Sequence, residues 1–451
     1  MSKLLLAFYG DDFTGSTDAL QQLALAGIRA ALFVEPPTPA QLKRFPGLQA
    51  VGVAGMTRSL SPEAMERELR PAFKKLKALG ARHVHYKVCS TFDSSPAIGS
   101  IGRAIDVGAG IFRAPFVPLL VAAPALGRYT IFGNHFARYG IGSDGAIHRL
   151  DRHPSISRHP VTPMTEADLR LHLAKQTEKK IALFDILQVA LPEAGARAAL
   201  KELLADKPDV VLFDVLDEDQ LRRIGGLIDG FASARRPLFA VGSSGIEAAL
   251  AAWWGERTRE PQRRLEKRLA GTLAPPAKQI LVGSGSCSPV TKRQITWALK
   301  HGFAEVPLEV TALVSDPAKE IRRSIKLATG LLRNGRSVIV HTTKRGADKR
   351  MAAKLRNGTA PFIGTALGKI LRGALEQNRV CRLCIAGGDT CSYAARALGI
   401  AALEMIATLT TGAPLCRAFA PGSPLDEREV VFKGGQVGPE NYFEILKRGR
   451  T

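Results

Sequence analysis

One local pattern recurs along this chain and restricts its fold more than any other feature. A short apolar run is followed by a glycine-bearing turn and then by apolar residues at helical spacing. The first instance is KLLLAFYGDDFTGSTDALQQLALAGIRAALFVE. KLLLAFY reads as a strand. Ala19, Leu20 and Leu23 fall on one helical face, Gly27 is a helix stop, and IRAALFVE is the next strand. The pattern returns in LQAVGVAGMTRS, in the amphipathic SPEAMERELRPAFKKLKALG and in ARHVHYKVCS. PLLVAAPA, KIALFDIL, PDVVLFDVL and PLFAVGSSGIEAALAAWW continue it. Strands alternating with helices predict a parallel sheet with helices on its faces.

The alternation breaks at WWGERTREPQRRLEKRLAGTLAPPAKQ, which is charged and then rich in proline. A second series follows: QILVGSGSCSPVTKRQITWAL, AEVPLEV, RSVIVHTT, VCRLCIAGGDTCSYAARALGI and REVVFKGGQVGPENYFEIL. The expected class is α/β, with two Rossmann-like domains, each a mainly parallel sheet flanked by helices. They are expected at 1–254 and 279–451, joined by a linker at 255–278. The active site is expected in the cleft between them, at the carboxyl ends of the strands.

Charge narrows the ligand. Lys and Arg number 63 against 41 Asp and Glu, a net charge of +22. A basic surface favours anions. The basic residues are scattered, and aromatics make up only 6% of the chain, which leaves little for stacking on bases, so no nucleic-acid partner is expected. No run approaches the ~20 apolar residues that span a bilayer, and no signal-peptide pattern is present. No membrane partner and a cytoplasmic location are expected. Six cysteines in 451 residues do not form a disulfide framework. The CxxC pair Cys381 and Cys384 lies in an apolar run and reads as two core thiols.

Several turns could carry chemistry. No GxxxxGK[ST] stretch exists. Gly140, Gly142 and Gly145 match GxGxxG, but YTIFGNHFARY before them is no clean buried strand and the prolines after them block a helix. A polar substrate loop is the better reading. CIAGGDTCSYAARALGI has the right setting: a strand ending at Ala386, then Gly387 and Gly388, with Thr390 as a helix cap. Free N–H groups at such a helix start attract phosphate. Asp389 would either cap the turn or hold a magnesium–phosphate complex. VGSGSCSP, with Ser284 and Ser286, and FKGGQVG, with Gly435 and Gly438, are further glycine turns after strands. Together the three suggest a non-Walker nucleotide pocket.

In the first half, Asp11 and Asp12 are adjacent. The Asp-x-Asp of haloacid-dehalogenase-type phosphatases is therefore absent. Carboxylates can instead accept hydrogen bonds from sugar hydroxyls, and one can take a proton from an attacking hydroxyl. By strand alternation the two would face opposite ways, one toward substrate and one anchoring the turn. Arg58 and Lys87, each after another strand, could grip a substrate carboxylate, and Ser90, Thr91 and Asp93 lie beyond Lys87.

GDDFTGSTD, HYKVCSTFDSS, HFARYGIGSDGAIHRLDRHPSISRHPVTPMTEADLRLHL, GSCSPVTKRQI, AGGDTCSYAARALGI and FKGGQVGPENYF, in this order and nearly end to end, resemble the four-carbon acid sugar kinase family. The resemblance implies ATP-dependent, Mg2+-assisted phosphorylation of a small sugar acid at its terminal hydroxyl. It implies a substrate domain before a nucleotide domain. It places nucleotide on Ser284, Ser286, Gly387, Gly388, Asp389, Thr390, Gly435 and Gly438, with Asp389 toward the metal. It places substrate on Asp11, Asp12, Arg58, Lys87, Ser90 and Thr91, with Gly127 and Arg128 beside them. Asp12 and Asp11 are the expected catalytic residues; the resemblance does not say which is the base, and Asp12 is the one expected here. CSTFDS resembles the 3-oxo-tetronate 4-kinase branch. D-threonate and D-erythronate are alternative substrates, and a sugar-acid-binding regulator without catalysis is the rival from another class. A homodimer is compatible with the resemblance.

Overall fold

The computed structural model describes residues 4–139, 145–159, 161–257, 274–286, 288–342 and 359–450. Gly140, Gly142, Cys287 and most of the expected linker lie outside them. Contacts divide the chain into two units, residues 1–31 with 35–268, and 32–34 with 269–451.

The first unit is built on a parallel sheet. Its strands lie side by side in the order Ala50–Ala54, Leu6–Gly10, His83–Lys87, Leu238–Gly242, Val117–Leu120, Val210–Phe213 and Ile181–Phe184. Most of these strands are buried along their whole length, which is why they read as unbroken apolar runs. The helix Pro62–Ala78 starts at Ser61, whose hydroxyl accepts from Ala64 N–H, with Pro62 in its first turn. It buries Met65, Leu69, Ala72, Phe73 and Leu76, one stripe at helical spacing. Phe73 meets Tyr9, Tyr86 and Phe239, with ring centroids 6.2, 6.0 and 5.3 Å away.

YTIFGNHFARY is no single buried strand but a half-buried hairpin. Arg128–Ile131 and Asn134–Arg138 pair antiparallel, and Ile147–Arg149 completes a separate three-stranded sheet. Phe132 and Gly133 both have positive φ, +48° and +80°, as a two-residue hairpin turn of mirror-image type requires. Phenylalanine disfavours that region, so the turn carries no local signal. It is held from outside, by the Asp214 carboxylate accepting from Phe132 N–H at 2.5 Å and Gly133 N–H at 3.0 Å.

The second unit has a parallel sheet in the order Ala304–Pro307, Val338–His341, Ile280–Ser284, Arg382–Ala386 and Glu429–Lys433. Leu415–Phe419 and Ala402–Ala407 extend it antiparallel, and Leu32 and Phe33 pair with Leu403 and Ala402. Of the CxxC pair, Cys384 is a core thiol whose pKa burial pushes up to about 12. Cys381 precedes the strand and is exposed, so only one of the two belongs to the core. Among the described residues no helix is long and apolar enough to cross a membrane.

A buried arginine closes the amino end of this sheet. Arg382, 1% exposed, meets Glu429 Oε2 at 2.7 Å, Leu446 O at 2.6 Å and Pro275 O at 2.8 Å. Replacing it with an apolar side chain leaves one carboxylate and two carbonyls without their donors. Arg382→Met is expected to lower unfolding free energy by about 3 kcal/mol in urea titration. A loss under about 1 kcal/mol, the value of an exposed pair, would contradict this bracing role.

Candidate functional site

The carboxyl ends of the first unit's strands are stitched by backbone bonds: Asp11 N–H to Lys87 O at 2.8 Å, Arg58 N–H to Asp11 O at 3.1 Å and Val88 N–H to Gly242 O at 2.7 Å. Each expected residue follows one of these ends. Asp11 and Asp12 follow Gly10, Arg58 follows Ala54 by four residues, and Ser90 and Thr91 follow Lys87.

Asp11 and Asp12 do not point apart. Both reach Arg58. Its Nη2 and Nε grip Asp11 Oδ1 and Oδ2 at 2.8 and 3.0 Å, and its Nη1 meets Asp12 Oδ2 at 2.9 Å. Strand alternation misleads here because the strand ends at Gly10, and Asp12 already caps the next helix, Phe13–Leu25. Asp12 Oδ1 accepts from Gly15 N–H and Oδ2 from Thr14 Oγ1, both at 2.7 Å. Burial raises the Asp12 pKa, but Arg58, Lys87 and these hydrogen bonds outweigh it, so the carboxyl titrates below its ordinary value. Asp11 titrates above it, because burial and the neighbouring Asp12 exceed the pull of Arg58. The side chain of Arg58 stays one-fifth exposed, and two of its five N–H donors are not used on these acids.

Lys87 is buried and donates to Val88 O at 2.8 Å, while its charge acts on Asp11, Asp12 and Asp18. The structure therefore brings Asp11, Asp12, Arg58 and Lys87 together. Thr91 Oγ1 turns to Asp93 Oδ1 at 2.8 Å, and Ser90 O accepts from His135 Nε2 at 2.9 Å. Gly127, at φ +66°, ends a short 3-10 turn. Arg128 Nη1 braces the carbonyls of Leu126, Gly127 and Arg138, while its buried Nε meets no partner among the described residues.

Two acids here escaped sequence reasoning. Asp18 is buried on the helix that Asp12 caps, and Glu247 stands after the strand Leu238–Gly242 in GSSGIE. Burial lifts the Asp18 pKa against the opposing charge of Lys87, and Glu247 adds to the rise. The available signal was the same strand–turn–helix pattern with an acid just inside the helix. His85 Nδ1 meets Glu247 Oε1 at 2.6 Å and its Nε2 meets Gly242 O at 3.2 Å.

In the second unit three glycine turns follow three adjacent parallel strands, Ile280–Ser284, Arg382–Ala386 and Glu429–Lys433. They converge. A Cβ on Gly387 would stand 3.0 Å from Thr390 Oγ1 and 3.2 Å from Ser286 N, and one on Gly435 would stand 3.0 Å from Ser286 Oγ. A Cβ on Gly285 would overlap Thr390 Oγ1. Gly387 has φ +121°, which side chains resist. It is itself the residue before the helix Gly388–Ala397, so Thr390 lies in the first turn rather than capping it. Ser284 Oγ accepts from Ser286 N–H at 3.4 Å and Ser286 Oγ from Ser288 N–H at 3.2 Å. Gly438 packs on the Tyr442 ring. The side chain of Asp389, expected at the metal, lies outside what the structure describes. Among the described residues no group of three His, Cys, Asp or Glu could hold a metal ion.

Residues 6–250 match a domain family described as the sugar-binding N-terminal domain, and residues 281–443 match one described as the nucleotide-binding C-terminal domain. A 3-oxo-isoapionate kinase of Paraburkholderia graminis is 43% identical, over 99% of this chain and 95% of its own. A 3-oxo-tetronate kinase of Methylobacterium radiotolerans is 28% identical, over 98% of each chain. The fold recurs in solved structures from Salmonella typhimurium LT2 (23% identity, 99% of each chain, TM-score 0.76) and Haemophilus influenzae (22%, 98% and 99%, TM-score 0.69).

Gly15 sits where a side chain cannot. A Cβ there would lie 2.6 Å from Asp12 Oδ1 and 3.0 Å from Lys87 Nζ. Gly15→Ala is expected to displace the Asp12 cap and cost about 1 kcal/mol of stability in chemical denaturation. An unchanged midpoint would mean that Asp12 does not depend on this close approach.

Proposed function

The chain belongs to the four-carbon acid sugar kinase family, and on that premise we propose that it moves the γ-phosphoryl group of ATP to a terminal hydroxyl of a 3-oxo sugar acid. It is a carbohydrate kinase. The carrying observation is the pair of buried acids clamped by Arg58, in the half that matches a sugar-binding domain. The relative at 43% identity acts on 3-oxo-isoapionate and the one at 28% on 3-oxo-tetronate, so we place 3-oxo-isoapionate ahead of the 3-oxo-tetronate expected from CSTFDS.

Phosphoryl transfer asks chiefly for positioning and charge neutralisation. Asp12, kept ionised by Arg58, Lys87 and its cap, would orient the acceptor hydroxyl and take its proton. A weak base suffices where the proton departs late. Arg58 and Lys87 would hold the acid's carboxylate, Arg58 with its remaining donors. Ser90, Thr91, Gly127 and Arg128 would shape the far side of the same site. The nucleotide would lie on the amides around Ser284, Ser286, Gly387, Gly388, Thr390, Gly435 and Gly438, opposite in charge to its phosphates. Mg2+ is the expected companion of ATP, with Asp389 beside it. Cytoplasmic location follows the same reading.

An ADP-release assay over 3-oxo-isoapionate, 3-oxo-tetronate, D-threonate and D-erythronate tests this. Turnover should be highest on a 3-oxo acid. Asp12→Asn should lose about 100-fold or more in kcat, with ADP affinity within about twofold of wild type. Turnover surviving within about fivefold would move the base elsewhere, and no ADP release on any of the four would sink the substrate class.

A further inference from the structure

The glycine turn 434–438 is held from one side. Lys433, fully buried, donates from Nζ to Gly434 O at 2.9 Å and to Thr291 Oγ1 at 3.2 Å. The Thr291 hydroxyl in turn donates a hydrogen bond to Gly435 O at 3.0 Å. Gln294 Nε2 reaches Val437 O, Gly438 O and Pro439 O at 3.0, 2.9 and 3.0 Å. Thr291 and Gln294 stand one turn apart on the helix Pro289–Lys300, the helix that leaves the first glycine turn. Three side chains thus engage five carbonyls of one loop, those of Gly434, Gly435, Val437, Gly438 and Pro439.

A trans peptide is planar, and its N–H points opposite its C=O. Drawing the carbonyls of Gly434, Gly435 and Val437 toward Lys433, Thr291 and Gln294 therefore turns the N–H groups of Gly435, Gln436 and Gly438 the other way. Among the described residues no acceptor meets the N–H of Gly435. Gly435 also stands against Ser286 and Ser288, in the first of the converging turns. A row of outward amides above a buried ammonium is a site for phosphate oxygens.

We propose that Lys433, Thr291 and Gln294 are positioning residues for the nucleotide: they hold the carbonyls of Gly434, Gly435, Val437, Gly438 and Pro439 inward so that the loop's amides, backed by the Lys433 charge, grip the polyphosphate. This rests on the reading that the second unit binds ATP. Burial supports the electrostatic part. It draws the Lys433 pKa down to about 8, so a bound anion that favours the ammonium is strengthened in return. Among the described residues, the titratable groups facing Lys433 are Cys384 on the adjacent strand, Cys391 on the helix after Gly387 and Tyr442, whose ring centroid is 5.5 Å from Nζ. Burial pushes Cys384 up to about 12 and lifts Tyr442 above its ordinary value, so neither loses its proton in the range where Lys433 does.

Calorimetric titration of the full chain with ADP separates the outcomes. Thr291→Val, Gln294→Leu and Lys433→Met should each weaken ADP by about tenfold and raise the KM for ATP, with the KM for the sugar acid unchanged. Thr291→Val and Gln294→Leu change little volume and stand in if Lys433→Met does not fold. Wild-type affinity should fall about three- to tenfold from pH 7.5 to 9.5, above the phosphate titration, while Lys433→Met stays flat. Wild-type binding with all three variants unaltered would overturn the positioning role and leave ATP binding standing. A wild-type chain that binds no ADP would overturn both.

Discussion

Everything proposed for the first unit depends on how two adjacent buried acids avoid repelling one another. Asp11 and Asp12 are each 3% exposed, and a lone buried carboxylate is costly. Arg58 resolves this by bonding to both, and Lys87 adds a second positive charge nearby. The balance splits their behaviour. Asp12, with a helix N-terminus and two extra donors, is held ionised, whereas Asp11 is pushed toward its neutral form. One guanidinium therefore stabilises both acids, while the helix cap on Asp12 differentiates them.

The second unit meets the opposite electrostatic problem with the opposite means. Its candidate ligand is highly charged, yet the turns that converge on it contribute backbone and hydroxyls, with the charge of Lys433 placed underneath. Amide dipoles fixed by side chains on their far side need no rearrangement when an anion arrives. That is the economy of preorganised sites. Gly387 at φ +121° and the crowded Gly285 and Gly435 explain why side chains are excluded from these bends: any Cβ would enter the neighbouring turn.

The fold was legible because parallel strands buried on both faces leave continuous apolar runs such as VVLF and AVGVA, and helices between them carry their stripes openly. Residues at strand ends were legible for the same reason: glycine and polar residues punctuate those runs. What could not be read was set by partners distant in sequence. The Phe132–Gly133 turn depends on Asp214, some eighty residues on. The shared orientation of Asp11 and Asp12 depends on Arg58. Asp18 has the local sequence of an ordinary polar helix position and Lys433 that of a strand end, and neither advertises locally that it is buried. Cys381 misled in the other direction, its apolar neighbours hiding the fact that the strand begins after it.

The central claim divides the ligands between the units: nucleotide on the amide turns of the second, sugar acid on the clamped acids of the first. Hydrogen–deuterium exchange measured with each ligand alone tests that division directly. The account predicts that ADP slows exchange in peptides covering 284–290, 386–391 and 433–439, while the 3-oxo acid slows it in those covering 10–17, 56–60 and 87–93. ADP protection confined to the first unit, or sugar-acid protection confined to the second, would contradict it.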